Sequence, residues 1–177
     1  FVLRVFLPAL LAVLLPLALP NDLYWHGNPL IGLVALAPLY AALTMAPSAR
    51  AAAGVGALFG AVSTFFIHYW LLYFHEFSLW TISGVVLGYA AYHAMLGPVV
   101  RALALRLPGA RPLVVAAAWT VYEYLKSSGF LAFPWGLIAH PFSDVLPLVQ
   151  IASLYGVWGV SLLAAAKYID RPCILSM

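Results

Sequence analysis

The chain has 177 residues, of which 66% are hydrophobic, 15% aromatic and only 7% charged, with eight Lys and Arg against five Asp and Glu for a net charge of +3. A water-soluble domain needs about a quarter of its residues charged to cover its surface, so this composition excludes one and points to a lipid bilayer as solvent. The basic residues stand singly between apolar runs, without the stripe or cluster that nucleic acid requires, and Cys173 as the lone cysteine can build neither an internal disulfide nor a thiolate metal site.

In chain order, six apolar runs approach the roughly 20 residues of a bilayer crossing. They lie at about 3–20, 30–47, 52–74, 80–104, 113–127 and 147–166. The first follows Arg4 and looks like a signal peptide, but no small-x-small cleavage pattern precedes Asn21, so it is expected to remain as the first span. It carries Pro8 and Pro16, and the second run carries Pro38. The expected fold is an all-α polytopic membrane protein. Residues 1–177 form a single membrane domain of about six transmembrane helices, with a partly apolar external loop between the fifth and sixth.

The third run holds Gly56 and Gly60, and the fourth Gly84 and Gly88. Each pair is four residues apart on one helix face, where it permits close approach of a neighbouring helix. The cations then set an orientation. Arg4, Arg50, the group Arg101, Arg106 and Arg111, and the pair Lys167 and Arg171 fall in alternate connections; the other connections hold Asp22, His26, His75, Glu76 and Asp144, with Lys126 their one cation. The positive-inside rule places both ends of these 177 residues in the cytoplasm and the loops near 21–29, 75–79 and 128–146 outside.

The stretch after Ala116 puts chemistry into an apolar helix. Trp119, Glu123 and Lys126 are spaced four and three apart, hence on one stripe, with Tyr122 beside it. Two intramembrane charges are costly, on the order of 2.5–3.5 kcal/mol each at mid-membrane, and can offset part of that by pairing. One reading is a salt bridge that fixes the helix. The other is a substrate-facing surface, because the stripe runs directly into Gly129, Phe130, Phe133, Pro134 and Trp135. Pro134 breaks the helix, and the rings are too apolar for a solvated loop. They serve either as headgroup anchors or as the wall of a lipid-accepting depression. Trp70, near the end of the third run, is a further candidate. His68 and His75 are seven apart with no acidic or thiol ligand at metal spacing, so no metal site is expected, and no nucleotide or dinucleotide fingerprint implies a cofactor.

These residues carry a resemblance. The segment from Trp119 through Glu123, Lys126 and Ala132-Phe133-Pro134-Trp135 to Gln150, Gly156 and Gly159 is similar to the membrane domain of the bacterial apolipoprotein N-acyltransferase family. The family reads Gly-Phe-Pro-Trp where this chain has Ala132 first. Gly60 with Trp70, and Pro20 with Trp25, resemble its third span and first external loop. The resemblance implies an inner-membrane enzyme that moves an acyl chain from a phospholipid to the N-terminal cysteine amine of a lipoprotein, by way of a cysteine thioester in a nitrilase-like domain. That domain has no counterpart in these 177 residues, so the chain alone is expected to be inactive and to supply anchoring and positioning. On this reading Trp70, Trp119, Glu123, Lys126, Phe133, Pro134 and Trp135 bind substrate, and there are no catalytic residues, no cofactor and no metal. The partners implied are the phospholipid donor, the lipoprotein acceptor, membrane lipids and the nitrilase-like domain. A small transporter or channel, or an inactive structural membrane subunit, is the alternative.

Overall fold

The structure, a computed structural model, describes residues 7, 10–128 and 132–166. Arg4, Gly129, Phe130, Lys167, Arg171 and Cys173 therefore lie outside the described residues, as do parts of the expected first span.

A 3-10 turn at Leu11–Val13 runs into helix α1, Leu14–Ala18, where Leu19 turns extended ahead of Pro20. The carbonyls left open at this end are taken by one side chain: the Asn21 amide donates to Pro16 O, Leu17 O and Leu19 O at 3.2, 3.1 and 2.8 Å. Its oxygen accepts from the N–H groups of Leu23 and Tyr24, which ties the first loop to the helix.

The run expected to cross as one helix at 30–47 is two short helices. Asn28 caps α2, Pro29–Gly32, by accepting from Leu30 N and Ile31 N, and the chain then turns before α3, Ala37–Met45. Pro38 explains the break, since it has no N–H to donate to Val34 O and its ring clashes with a helical turn there.

Ser48 caps α4, Ala49–His68, which tightens into a 3-10 stretch at Tyr69–Tyr73. Helix α5, Leu79–Arg106, follows and makes its most extensive contact with α4. The two backbones touch. A Cβ on Gly56 would collide with His93 O, and one on Gly97 would stand 2.5 Å from Ala52 O. Gly84 and Gly88, expected to serve the same purpose, meet nothing within 4 Å of a Cβ and face open space.

After a turn at Pro108–Ala110 comes α6, Arg111–Lys126. Helix α7, Leu146–Ala166, is interrupted at Gly156, whose φ of 67° lies outside helical geometry. Its second half is packed, with Val160, Ser161, Ala164 and Ala165 buried, whereas Leu154 and Tyr155 before the break are exposed.

Three of these segments are long and apolar enough to cross a membrane: Ala49–Tyr73, Leu79–Arg106 and Leu146–Ala166. Helix α6 has 16 residues, about 24 Å at 1.5 Å per residue. The core joins all of them through Phe59, Val100, Trp119, Ile138 and Ala165.

Candidate functional site

Part of the segment between α6 and α7 is buried. Leu137, Ile138, Ala139 and Phe142 are buried, and Ile138 is fully enclosed. Non-helical backbone inside a membrane bundle must have its N–H and C=O groups satisfied by protein, and two charged residues in the last turns of α6, Glu123 and Lys126, contribute to this. Lys126 Nζ donates to Trp135 O at 2.9 Å and Gly136 O at 3.3 Å. Glu123 Oε1 accepts the Ile138 N–H at 2.7 Å and the Trp119 indole N–H at 3.0 Å, and Glu123 Oε2 accepts the Ser161 hydroxyl at 2.5 Å.

The expected pairing of Glu123 with Lys126 is not formed. Among the described residues the one ion pair within 4 Å is His26 with Asp144, at 3.2 Å and largely exposed. The reason is geometric: each charge has better-placed backbone partners of the opposite polarity in the same loop. Glu123 is 0% exposed and faces inward, toward Ile138 and Ser161. Trp119 lies beside it in an aromatic cluster, edge-on to Phe59 at 6.0 Å and 5.2 Å from Tyr122.

The other candidates gather at the end of the helix. The Lys126 ammonium sits 5.5 Å from the Tyr122 ring centre and 6.0 Å from that of Tyr89, within cation–π range. Phe133 packs against His68 at 5.2 Å and Trp135 against Trp70 at 5.4 Å. Trp70 is fixed by its own N–H, which donates to Ile67 O at 2.9 Å. Pro134 is exposed, and Trp135 is half-exposed. The structure thus brings Trp70, Lys126, Phe133 and Trp135 together, with Glu123 and Trp119 buried one to two turns deeper. His75 and Glu76 are exposed on the loop between α4 and α5.

A cavity of about 690 Å3 opens beside this cluster, walled by His68, Gly84, Gly88, Tyr89, Lys126 and Phe133. It shares Tyr92 and Leu125 with an apolar cleft of about 540 Å3 between α5 and α6. Together they line α5 with space of the size that binds small apolar ligands, about 300–1,000 Å3. The bare faces of Gly84 and Gly88 are what keep the first cavity open.

Ile138, Ser161 and His68 belong to the site but were not singled out as binding residues. The apolar run Leu137-Ile138-Ala139 was a readable sign of a buried loop, and Ser161 is a lone hydroxyl within an apolar half-helix. In the loop itself, burial, with the Lys126 charge adding to it, holds the His140 imidazole below its ordinary pKa.

A helical bundle in which three of the described helices are long and apolar enough to span a bilayer, with a buried loop between α6 and α7, defines an all-α multi-pass membrane protein. The profile for the apolipoprotein N-acyltransferase N-terminal domain matches residues 11–167. The chain belongs to this family. It is 36% identical over 152 residues to apolipoprotein N-acyltransferase 2 of Treponema pallidum, covering 86% of this chain and 27% of that protein. It is 40% identical over 164 residues to apolipoprotein N-acyltransferase 1 of the same organism, covering 89% and 28%, and 34% identical over 155 residues to the Borreliella burgdorferi enzyme, covering 88% and 30%. The chain therefore spans less than a third of the length of these relatives.

Proposed function

We propose that these 177 residues act as one membrane domain that anchors an N-acyltransferase in the bacterial inner membrane and presents a phospholipid acyl donor to catalytic groups elsewhere in the complete enzyme. The reaction is transfer of an acyl chain from phospholipid to the N-terminal cysteine amine of a lipoprotein. Six crossings, with both ends of these residues cytoplasmic, agree with the alternation of cations. The second crossing, in two pieces, then relies on neighbours to cover its broken backbone.

The observation that carries this reading is the cavity of about 690 Å3 beside the loop held by Lys126. An acyl chain lying along Gly84 and Gly88 would have its polar end at Lys126, Phe133 and Trp135, with Trp70 behind. Pro134 and Trp135 supply the exposed edge. Glu123 and Trp119 serve the same site as positioning residues, through the loop they hold.

The test fills the cavity. In a complete enzyme carrying these residues, Gly88→Leu is expected to raise KM for phospholipid by about tenfold or more while the protein remains folded and inserted. Gly54→Leu, at another glycine with nothing within 4 Å of a Cβ, serves as the control. An unchanged KM in Gly88→Leu removes the cavity from the donor path.

A further inference from the structure

A small polar cavity, of about 10 Å3, is walled by α4, α5, α6 and the loop that Lys126 holds. We propose that it is the site of a single bound water molecule, which accepts a hydrogen bond from Lys126 Nζ and donates one to His68 Nε2. The water makes His68 a positioning residue for the loop, whatever the larger cavity binds.

An orphaned nitrogen points to the site. His68 is 3% exposed, and its Nε2 atom has no hydrogen-bond partner. The other ring nitrogen settles what Nε2 needs. Nδ1 lies 2.8 Å from Thr64 O, a carbonyl that can only accept, so Nδ1 carries the hydrogen and Nε2 of the neutral ring is a lone pair. A proton on Nε2 as well would set a second cation beside Lys126 on the wall of the same cavity. The ring is not free to turn elsewhere for a donor, since it stacks on Tyr89 at 5.8 Å and packs against Phe133 at 5.2 Å.

Lys126 has what His68 lacks. An ammonium carries three N–H groups, of which Trp135 O and Gly136 O take two, leaving one to give. His68 Nε2 receives nothing directly from it. Both side chains wall a cavity whose volume of about 10 Å3 is close to the least that holds one water molecule. Ser63 Oγ stands on the same wall and donates its own hydrogen to Phe59 O at 2.7 Å, so it offers a lone pair to the second hydrogen of the water. One donor and two acceptors match the roughly three partners of a typical buried water. The wall also disfavours other occupants: an anion would face the His68 lone pair, a cation would face the ammonium, and an organic ligand exceeds the space.

The test uses a complete enzyme carrying these residues, in bilayer discs, with 15N-labelled histidine. Magnetic resonance should find His68 protonated at Nδ1 only, with Nε2 receiving magnetisation from a water proton, and Lys126→Met should abolish that transfer. A proton on Nε2, or no water contact in the wild type, overturns the proposal, and this reading stands alone if Lys126→Met does not fold. Exchanging chloride for a bulky anion should leave the His68 signals unchanged; a shift would make this an anion site and overturn the water. Thiol labelling of a cysteine at position 137 reads the effect on the loop. His68→Leu should speed it about tenfold, the share of one hydrogen bond to a charged group, and His68→Gln, which keeps an acceptor, should stay near the wild-type rate. Combining His68→Leu with Lys126→Met should add little to either alone. Fully additive effects would show that the two residues hold the loop independently and would overturn the bridge.

Discussion

Removing the Glu123 side chain gives the sharpest test of the architecture. Three donors converge on its carboxylate: the Trp119 indole N–H, the Ile138 backbone N–H and the Ser161 hydroxyl. All three residues are buried, at 4%, 0% and 0% exposure, so no water replaces the lost acceptor. A buried donor left without a partner costs about 1–3 kcal/mol. Ser161 escapes part of this by rotating onto the carbonyl one turn back in its own helix, whereas Trp119 and Ile138 have no such recourse. Glu123→Ala should therefore lose about 3–6 kcal/mol. Glu123→Gln keeps the shape and an acceptor for the two N–H groups, and the Ser161 hydroxyl can turn to accept from the new amide. Its loss of charge assistance is offset by no longer burying a carboxylate, leaving a cost of about 0–2 kcal/mol. Denaturant titration in bilayer discs, followed by tryptophan fluorescence, measures both variants. A loss below about 1 kcal/mol for Glu123→Ala, or equal losses for Ala and Gln, refutes the picture of a loop pinned by three hydrogen bonds. In a complete enzyme the same picture expects Glu123→Gln to retain most of its activity per folded molecule.

Lys126→Met frees Trp135 O and Gly136 O, and a cysteine probe at position 137 should gain thiol-reagent accessibility while the α4–α5 pairing is retained; unchanged protection at 137 would show that the lysine is not the clamp. Gly56→Ala drives a methyl group into His93 O and should destabilise by about 1–3 kcal/mol. Gly84→Ala meets nothing and should gain about 0.5–1 kcal/mol from helix propensity, so a loss at Gly84 would place an unseen contact there. The lowered pKa of His140 means that, as pH falls through the ordinary histidine value of about 6.5, the unfolded chain takes up a proton that the folded chain refuses. Stability should fall with pH in that window, and the slope should be shallower in His140→Gln. Single cysteines at 144 and 109 should be labelled from outside and protected, respectively, and the reverse pattern would invert the orientation.

The long helices were legible because their signal is local. The expected runs 52–74, 80–104, 113–127 and 147–166 lie within a few residues of Ala49–Tyr73, Leu79–Arg106, Arg111–Lys126 and Leu146–Ala166. Apolar length and the turns between the runs were enough to bound them. The second run, expected as one proline-bearing span, is divided into Pro29–Gly32 and Ala37–Met45, a break that follows from the hydrogen bond Pro38 cannot make and that the length of the apolar run does not register. The two glycine pairs show a similar limit. Spacing of four marks a bare helix face in both, but it does not say whether a helix fills that face, as at Gly56 and Gly60, or a cavity does, as at Gly84 and Gly88.

The charges on α6 show why the site itself was only half legible. Helical spacing placed Trp119, Glu123 and Lys126 on one stripe, and Trp119 does donate to Glu123 within it. What faces that stripe comes from 15 and 38 residues further along the chain, as Ile138 and Ser161, and no local pattern encodes such partners. Their identity follows from what the loop lacks. A segment that leaves its helix after Lys126 and then buries Leu137 to Ala139 has carbonyls and N–H groups with no helical partners, in surroundings where each orphan is expensive. One cation and one anion, three residues apart, supply a donor for Trp135 O and Gly136 O and an acceptor for Ile138 N. A salt bridge between them would neutralise both charges and leave all three backbone groups open. The unpaired arrangement is therefore the one that lets a non-helical loop sit inside the bundle, and it is this buried loop that holds Phe133 and Trp135 against the cavity.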